Sequence, residues 1–354
     1  MFFYLLLVLP GWILAKPVTH ILHEGKFRVR LTCASEDSIC VGFKETIKHV
    51  AKFSGNALIL NNEVHAAIVF SPFTVEAGTE FELADTSVKH IWSQKAPGTF
   101  IPRALCKQID ICSNEDKVDF TVTINPSQPF YFASDFGKNQ NGYSAIDSLA
   151  HEFVHGLGFT DCFSSDISNA NIIPFFETSP GHYENTASIE FLDNSFVNHI
   201  YTKDNKKLTS FIERLNMKNQ IPLRDPTCEK TQLTDYHLEI TKKIEALATT
   251  SGGLYFKTKT GKKVLLETNG EYEPGRSLSH LDKNYDGSQE TLMIEDGIPS
   301  KGVHDLEFYG WRTSPFGSLT LEVLARMGYQ LNPKPLYENS LHGLKEKIDK
   351  SPSC

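Results

Sequence analysis

The sequence lacks a surplus of basic residues, because its 35 Lys and Arg are outnumbered by 43 Asp and Glu and the formal net charge is −8. Proteins that bind nucleic acid neutralise phosphates with clustered positive charge, so we expect no nucleic-acid partner. Internal repeats and low-complexity runs are also missing. Hydrophobic residues make up 40% of the 354 positions and charged residues 22%, which excludes a largely disordered chain and supplies material for a core.

Long apolar runs are absent after residue 15. A helix that crosses a bilayer needs roughly 18 apolar residues, and no segment of 16–354 approaches that length. Met1 to Ala15 is almost wholly apolar, is too short to span a membrane comfortably, and ends in a small residue that suits cleavage. We therefore predict a secretory signal peptide at 1–15 and a secreted, extracellular protein that makes no membrane contact after cleavage. A retained signal anchor is the alternative.

Cys-x-x-Cys pairs are absent as well, so the cysteines are weak candidates for zinc ligands. Most of the seven cysteines of an exported chain are expected to form disulfides, and the odd count leaves at least one unpaired. The predicted bonds are Cys33–Cys40, Cys106–Cys112 and Cys162–Cys228, with Cys354 unpaired.

One stretch, Ser148 to Asp161, carries the chemistry that the rest of the chain is expected to support. It contains His-Glu-x-x-His among apolar residues whose spacing predicts a helix. His151 and His155 lie four residues apart and project from one helix face, at a separation that a single Zn²⁺ can bridge. Glu152 lies one residue further round, where it can take a proton from a water on the metal.

The third zinc ligand is expected from the turn that follows this helix. Gly156 and Gly158 end the helix, because glycine tolerates positive φ, and a sharp turn at Gly158 can return Asp161 towards the metal. Asp161 is therefore the predicted third ligand, and the fourth position is left for water. The competitors for this role are His280, Glu177 and His182.

The full pattern, His-Glu-x-x-His-x-x-Gly-x-x-Asp, resembles that of the metzincin zinc peptidases, whose third ligand is usually His and in some members Asp. The resemblance implies a Met-containing turn beneath the zinc, and Glu290 to Glu295 is the matching segment. Met293 is expected to act there by packing rather than by ligation. A plain core methionine is the alternative.

A second part of the resemblance lies near the C-terminus. Ser277 to Asp282 precedes Met293, and Leu319 to Tyr329 looks like the closing helix of secreted metzincin-like peptidases. His280, in the first of these segments, is an alternative third ligand, an oxyanion stabiliser or a substrate contact. The other interpretation is a histidine that only hydrogen-bonds the loop that carries it.

The predicted fold class is α+β: a metzincin-like catalytic domain with a mixed twisted sheet, an active-site helix and a large insertion before the Met-turn. Roughly 130 residues separate Asp161 from Met293, far more than a structureless loop of a compact domain would contain. The predicted segments are 1–15, signal peptide; 16–161, N-terminal part of the catalytic domain; 162–275, inserted subdomain; 276–332, C-terminal part with Met-turn and closing helix; and 333–354, tail.

A substrate-binding strand is expected just before the active-site helix. Asp119 to Ile124 alternates as a strand does, and Pro126 and Pro129 near its end favour a sheet edge. Metzincins bind extended peptide by adding it to such an edge strand. The resemblance therefore implies substrate contacts at this strand, and an ordinary edge strand is the alternative. The residues concerned are Phe120, Val122 and Ile124.

Together these features predict a secreted zinc-dependent endopeptidase with one catalytic Zn²⁺ and Glu152 as general base. Its partner is a peptide or protein substrate, and its oligomeric state stays open. One alternative is a catalytically inactive metzincin-like protein for binding or adhesion, although such a scaffold has no need of Glu152. The other is a zinc hydrolase that acts on a non-peptide amide or ester.

Overall fold

The computed structural model describes most of the chain between residues 17 and 333. The predicted signal peptide, His182, Cys228 and residues 334–354 lie outside the described residues. The described ranges are 17–35, 37–72, 83–92, 99–113, 115–132, 142–164, 172–180, 186–218, 220–225, 230–231, 233–268, 270–273, 275–285, 291–294 and 316–333.

These ranges form six α-helices, 21 mostly short strands and three 3₁₀ turns. The helices are α1 (Ser38–Ala57), α2 (Arg103–Gln108), α3 (Ala145–Gly156), α4 (Thr209–Asn216), α5 (Asp235–Ala248) and α6 (Ser318–Met327). The strands are β1 (Val18–Glu24), β2 (Phe27–Cys33), β3 (Leu58–Ile59), β4 (Val64–Phe70), β5 (Ala84–Val88), β6 (His90–Trp92), β7 (Thr99–Pro102), β8 (Phe120–Ile124), β9 (Phe130–Tyr131), β10 (Tyr143–Ser144), β11 (Phe163–Ser164), β12 (Ile173–Pro174), β13 (Phe176–Pro180), β14 (Thr186–Phe191), β15 (Asp193–Asn194), β16 (Ile200–Thr202), β17 (Gln220–Asp225), β18 (Lys230–Thr231), β19 (Leu254–Lys257), β20 (Lys263–Leu265) and β21 (Gln330–Leu331). The 3₁₀ turns are Val197–His199, Lys283–Tyr285 and Thr291–Met293. The fold is therefore mixed α+β, as predicted.

The largest sheet has five strands in the order β1-β2-β4-β8-β5. The three central strands run parallel to one another, and both outer strands run antiparallel to their neighbours. The predicted edge strand, β8, thus lies inside the sheet, and β5 forms the edge. Pro126 and Pro129 follow the last residue of β8, so they leave its ladder intact and allow β5 to pair along its full length.

One face of this sheet is covered by helices α1 and α3, which contact each other. The Phe153 ring of α3 packs 5.6 Å from the Phe27 ring of β2 and 5.3 Å from the Phe120 ring of β8. Phe120, Val122 and Ile124 are all completely buried on this face. Their side chains therefore belong to the core, which corrects the expectation that they contact substrate.

Helix α3 begins and ends where its sequence indicates. The Ser144 hydroxyl accepts a hydrogen bond from the Asp147 backbone N–H, which is the geometry of an N-cap. At the other end, a Cβ on Gly156 would lie 2.5 Å from the Phe120 ring, so only glycine lets the helix approach β8 this closely. Gly158 has φ +110°, and it turns the chain away from the helix axis.

The predicted inserted segment, 162–275, contains helices α4 and α5, which pack together, and the β19–β20 hairpin. Apolar residues of 195–217 recur at helical spacing, yet a helix forms there only at α4. The first part of this range is instead a 3₁₀ turn and strand β16, because β16 pairs with β19. Strand β15 pairs in parallel with β7, which ties this segment to the N-terminal part.

Two disulfides join cysteines close in sequence, Cys33–Cys40 and Cys106–Cys112, as predicted. Cys162 is a buried free thiol, so the predicted Cys162–Cys228 bond is not formed in this structure. Cys354 lies outside the described residues. None of the helices in the described part of the chain has the length and apolar character needed to cross a membrane.

Candidate metal centre

Three imidazoles meet at one buried point. His151 and His155 project from α3, and His280 comes from the loop that precedes the 3₁₀ turn at Lys283–Tyr285. The His151 Nε2 atom lies 3.0 Å from His155 Nε2 and 3.0 Å from His280 Nε2. All three ligand atoms fall within 4.8 Å of one another. Two segments 125 residues apart in sequence are thereby joined at a single centre, since 280 − 155 = 125.

The other nitrogen of each ring is held by a backbone carbonyl. A carbonyl oxygen only accepts hydrogen bonds, so each Nδ1 must carry the proton and each Nε2 must present its lone pair. Three lone pairs then face one another at the centre, an arrangement that is complete only with a cation between them. The Nδ1–oxygen distances are 2.5 Å from His151 to Leu292, 2.7 Å from His155 to Phe159 and 2.8 Å from His280 to Arg276.

Burial keeps these imidazoles neutral. It lowers the pKa of His151 to about 4 and, together with the neighbouring His151, lowers the pKa of His155 to about 3. Burial and the other two imidazoles also hold the pKa of His280 well below its usual value of 6.5. Neutral imidazole is the form that binds metal, so all three rings are ready to act as ligands at neutral pH.

The loop that carries His280 is fixed on both sides. Leu278 has φ +68°, a backbone conformation that costs a non-glycine residue of the order of 1–3 kcal/mol. Its N–H donates to the Glu267 carbonyl at 3.0 Å, and the Ser279 hydroxyl donates to the Gly275 carbonyl at 2.7 Å. These bonds stabilise a strained loop that aims the His280 ring at α3.

Met293 ends the 3₁₀ turn Thr291–Met293 and is completely buried. The turn contacts α3, and the Leu292 carbonyl in it holds His151. The Met293 carbonyl accepts a hydrogen bond from the Leu281 N–H at 2.8 Å, next to His280. Residues 291–294 of the predicted Met-turn therefore lie against the centre and support two of its histidines, whereas Glu290 and Glu295 lie outside the described residues.

Glu152 is buried beside His151 on α3, and its carboxylate has a partner that the sequence did not reveal. The Thr86 hydroxyl on β5 donates to Glu152 Oε2 at 2.6 Å. Thr86 falls in a stretch rich in turn residues, where neither strand nor helix periodicity is clear, and no local signal connects it with Glu152.

Asp161, the expected third ligand, is not a member of the three-histidine group. Its Oδ1 accepts a hydrogen bond from the Phe163 N–H at 2.8 Å, so the carboxylate closes the turn after α3 instead. Burial raises the pKa of Asp161 to about 7. His280, the alternative ligand, takes the third place. Glu177, another competitor, is exposed on β13 and also lies outside the group, and His182 lies outside the described residues.

The fold and the site together define the class: an α+β protein with a mixed sheet and a buried three-histidine centre that can hold a metal ion. Residues 12–341 match the sequence profile of the SPBPB7E8-like family, and the chain belongs to that family. No curated protein and no solved structure matches the chain.

Proposed function

We propose that this protein is a secreted zinc-dependent endopeptidase. The observation that carries the proposal is the convergence of three neutral imidazoles next to Glu152, one residue from His151 on the same helix. The part of the chain that the structure describes adds no fourth His, Cys, Asp or Glu to this group. Three protein ligands are typical of catalytic rather than structural zinc sites, because one position stays open for water or substrate.

The donor set fits Zn²⁺ in both chemistry and spacing. Neutral imidazole nitrogens are preferred zinc ligands, and two ligands of a tetrahedral zinc ion lie about 3.3 Å apart. The 3.0 Å separations between His151 and its two partners are close to that value. When bound there, Zn²⁺ supplies Lewis-acid chemistry: it lowers the pKa of a water molecule and polarises a carbonyl group.

Glu152 supplies the general base. Its carboxylate accepts a proton as the water oxygen forms the new C–O bond with the carbonyl carbon, and it then passes that proton to the amide nitrogen, so that the C–N bond breaks and the amine departs. The His151, His155 and His280 rings donate their Nδ1 protons to carbonyls and therefore take no part in this transfer. Proton movement is thereby assigned to one side chain.

Strand β5, rather than β8, is the proposed platform for an extended peptide. It lies at the edge of the main sheet, with β8 on one side, and it packs against α3. A peptide that adds to the other side of β5 forms main-chain hydrogen bonds and passes close to Glu152. This edge favours peptides over small amides or esters as substrates.

Three features of the fold support the resemblance to metzincins. A five-stranded mixed sheet with an antiparallel edge strand, a helix with both histidines, and a methionine turn under the centre occur together here. The disulfide Cys33–Cys40 fits an oxidising compartment, which supports secretion.

The test uses the mature chain loaded with zinc and assayed on casein and a peptide library. We expect cleavage that a chelator abolishes and added Zn²⁺ restores. Glu152→Ala should lose cleavage while it keeps one zinc per chain and the wild-type melting temperature. A protein that binds zinc but cleaves none of these substrates, or a fully active Glu152→Ala variant, would overturn the proposal.

A further inference from the structure

We infer that Thr86 is a positioning residue for Glu152 and that it links the general base to the substrate-binding strand. The inference rests on the proposed function for its chemistry, but its geometry is independent of it. The Thr86 Oγ1 atom lies 2.6 Å from Glu152 Oε2 and 3.2 Å from the Glu152 backbone oxygen.

A hydroxyl has a single proton to donate, and the two acceptors near it both belong to Glu152. The shorter contact goes to the carboxylate, and hydrogen bonds from O–H to O⁻ are typically 2.5–2.7 Å long and about twice as strong as neutral ones. The Thr86 hydroxyl therefore holds Oε2 and fixes the plane of the carboxylate.

Both partners of this bond are carried by rigid elements. Thr86 is the central residue of β5 and lies opposite Val122 in the β8 ladder, while Glu152 lies in the middle of α3. Threonine is branched at Cβ and has few χ1 rotamers, so its hydroxyl is held in place by the strand. A carboxylate on a helix is thus oriented by a donor on the sheet, across the interface that α3 makes with β5.

The same strand is the proposed platform for peptide. Among the described residues, no strand pairs with the outer edge of β5, so a peptide added there is placed in a register fixed by the backbone of that strand. Thr86 then fixes the carboxylate relative to that register. Strand β5 thus positions both the general base and the scissile bond. Loss of the Thr86 hydroxyl leaves the peptide-binding edge intact but frees the carboxylate, so it should lower kcat and leave KM nearly unchanged.

The first arm of the test measures peptide cleavage by three variants. Thr86→Val removes the donor and keeps the shape, Thr86→Ser keeps the donor, and Thr121→Val is the matched control on the neighbouring strand. We expect Thr86→Val to lower kcat roughly 10- to 100-fold with KM within about twofold. Thr86→Ser should retain at least about a third of kcat, and Thr121→Val should behave as wild type. A Thr86→Val variant that matches Thr121→Val would overturn the inference.

The second arm measures a quantity other than activity, the affinity of the zinc-loaded protein for acetohydroxamate by titration calorimetry. Hydroxamates bind zinc and interact with the adjacent carboxylate, so their affinity reports the position of Glu152. Thr86→Val should weaken binding about tenfold in the wild-type background and have no effect in the Glu152→Ala background, where no side-chain oxygen accepts from residue 86, the signature of coupled residues. Equal losses in both backgrounds would show a merely structural role.

The two arms also separate this inference from the peptidase proposal. A wild-type protein that cleaves nothing but shows the coupling would overturn the peptidase proposal and leave Thr86 as the partner that positions Glu152. A protein that cleaves peptides but shows neither the kcat loss nor the coupling would overturn the role of Thr86 alone.

Discussion

Two buried polar clusters lie in this molecule, and they satisfy their polar groups in opposite ways. Around Asp119, one carboxylate accepts from Lys107 Nζ at 2.7 Å and from the His65 N–H at 2.8 Å, and it pairs with Arg103 Nε at 3.2 Å. Every strong charge there has a protein partner. At the metal centre, three lone pairs face one another, and the described residues supply no cation between them.

The difference separates a structural cluster from a functional one. Buried charges persist in proteins when they are paired, and the Asp119 carboxylate is balanced by two protein cations, Lys107 and Arg103, so the cluster explains how β8 is held beside β4 and α2. The histidine cluster is incomplete by its own geometry. Burial of polar groups alone therefore says little about function. A buried cluster that lacks a group of opposite charge, in contrast, indicates the kind of ligand that would bind there, here a cation.

The largest expected effect is on the zinc affinity of the three-histidine centre. His280→Ala removes one of the three imidazoles, so we expect zinc affinity to fall roughly 10³-fold or more, since few protein ligands remain. Competition with a chromophoric chelator measures this change. Asp161→Asn is the control, because Asp161 lies outside the group, and it should keep one zinc per chain. The reverse pattern would restore Asp161 as the third ligand.

Substitutions in the Asp119 cluster should instead lower the free energy of unfolding. Lys107→Met leaves the Asp119 carboxylate buried beside Arg103 alone, and breaking such a pair costs about 3–5 kcal/mol of unfolding free energy. Urea denaturation should show this loss, with zinc stoichiometry unchanged in the folded protein. Lys117→Met removes an exposed ion pair with Glu115 that solvent screens, so it should change stability far less than Lys107→Met. Equal losses of stability in the two variants would mean that breaking the buried ion pair costs no more unfolding free energy than breaking the exposed one.

Asp161 offers a third case, a buried carboxylate for which the described residues provide no salt bridge. Its pKa is about 7 instead of 3.8, so above pH 3.8 the unfolded chain releases a proton that the folded chain still holds. Stability attributed to this group is therefore present at low pH and is lost as the pH rises from about 4 to 7. The loss is of the order of 2–4 kcal/mol.

Asp161→Asn should accordingly stabilise the protein at pH 8 and change little at pH 4, as measured by urea denaturation at both values. The amide oxygen can still accept from the Phe163 N–H, so the turn after α3 is kept. A variant that is destabilised equally at both pH values would show that the carboxylate is charged and satisfied in the folded protein.

The smallest effect concerns the loop of His280. Arg276 holds His280 Nδ1 through its backbone carbonyl, while its side chain forms an exposed pair with Glu273. Arg276→Ala should therefore change zinc affinity less than about threefold and stability by less than about 1 kcal/mol. A tenfold change in affinity would show that the guanidinium, rather than the carbonyl, tunes the centre.

Local pattern was sufficient to predict much of helix α3. The apolar spacing and the glycines after His155 act within a few residues, so α3 and its two histidines could be identified from sequence. The alternating apolar residues of β2 and the helical apolar spacing of α1 are equally local signals.

Non-local contacts account for the rest. The choice between Asp161 and His280 depends on a loop more than one hundred residues downstream, fixed by the bond between Leu281 and Met293. The place of β8 inside the sheet depends on β5, whose sequence carries no clear strand pattern. Thr86 contributes through a side chain that only the folded sheet brings to Glu152.

The 3₁₀ turn at Thr291–Met293 determines how early in synthesis the three-histidine centre can assemble. Its Leu292 carbonyl orients His151 and its Met293 carbonyl holds the segment of His280, so two ligands depend on three residues late in the chain. During synthesis the histidines of α3 emerge long before this turn exists. The three-histidine centre can therefore form only late in synthesis, after the residues of this turn have emerged and folded against α3.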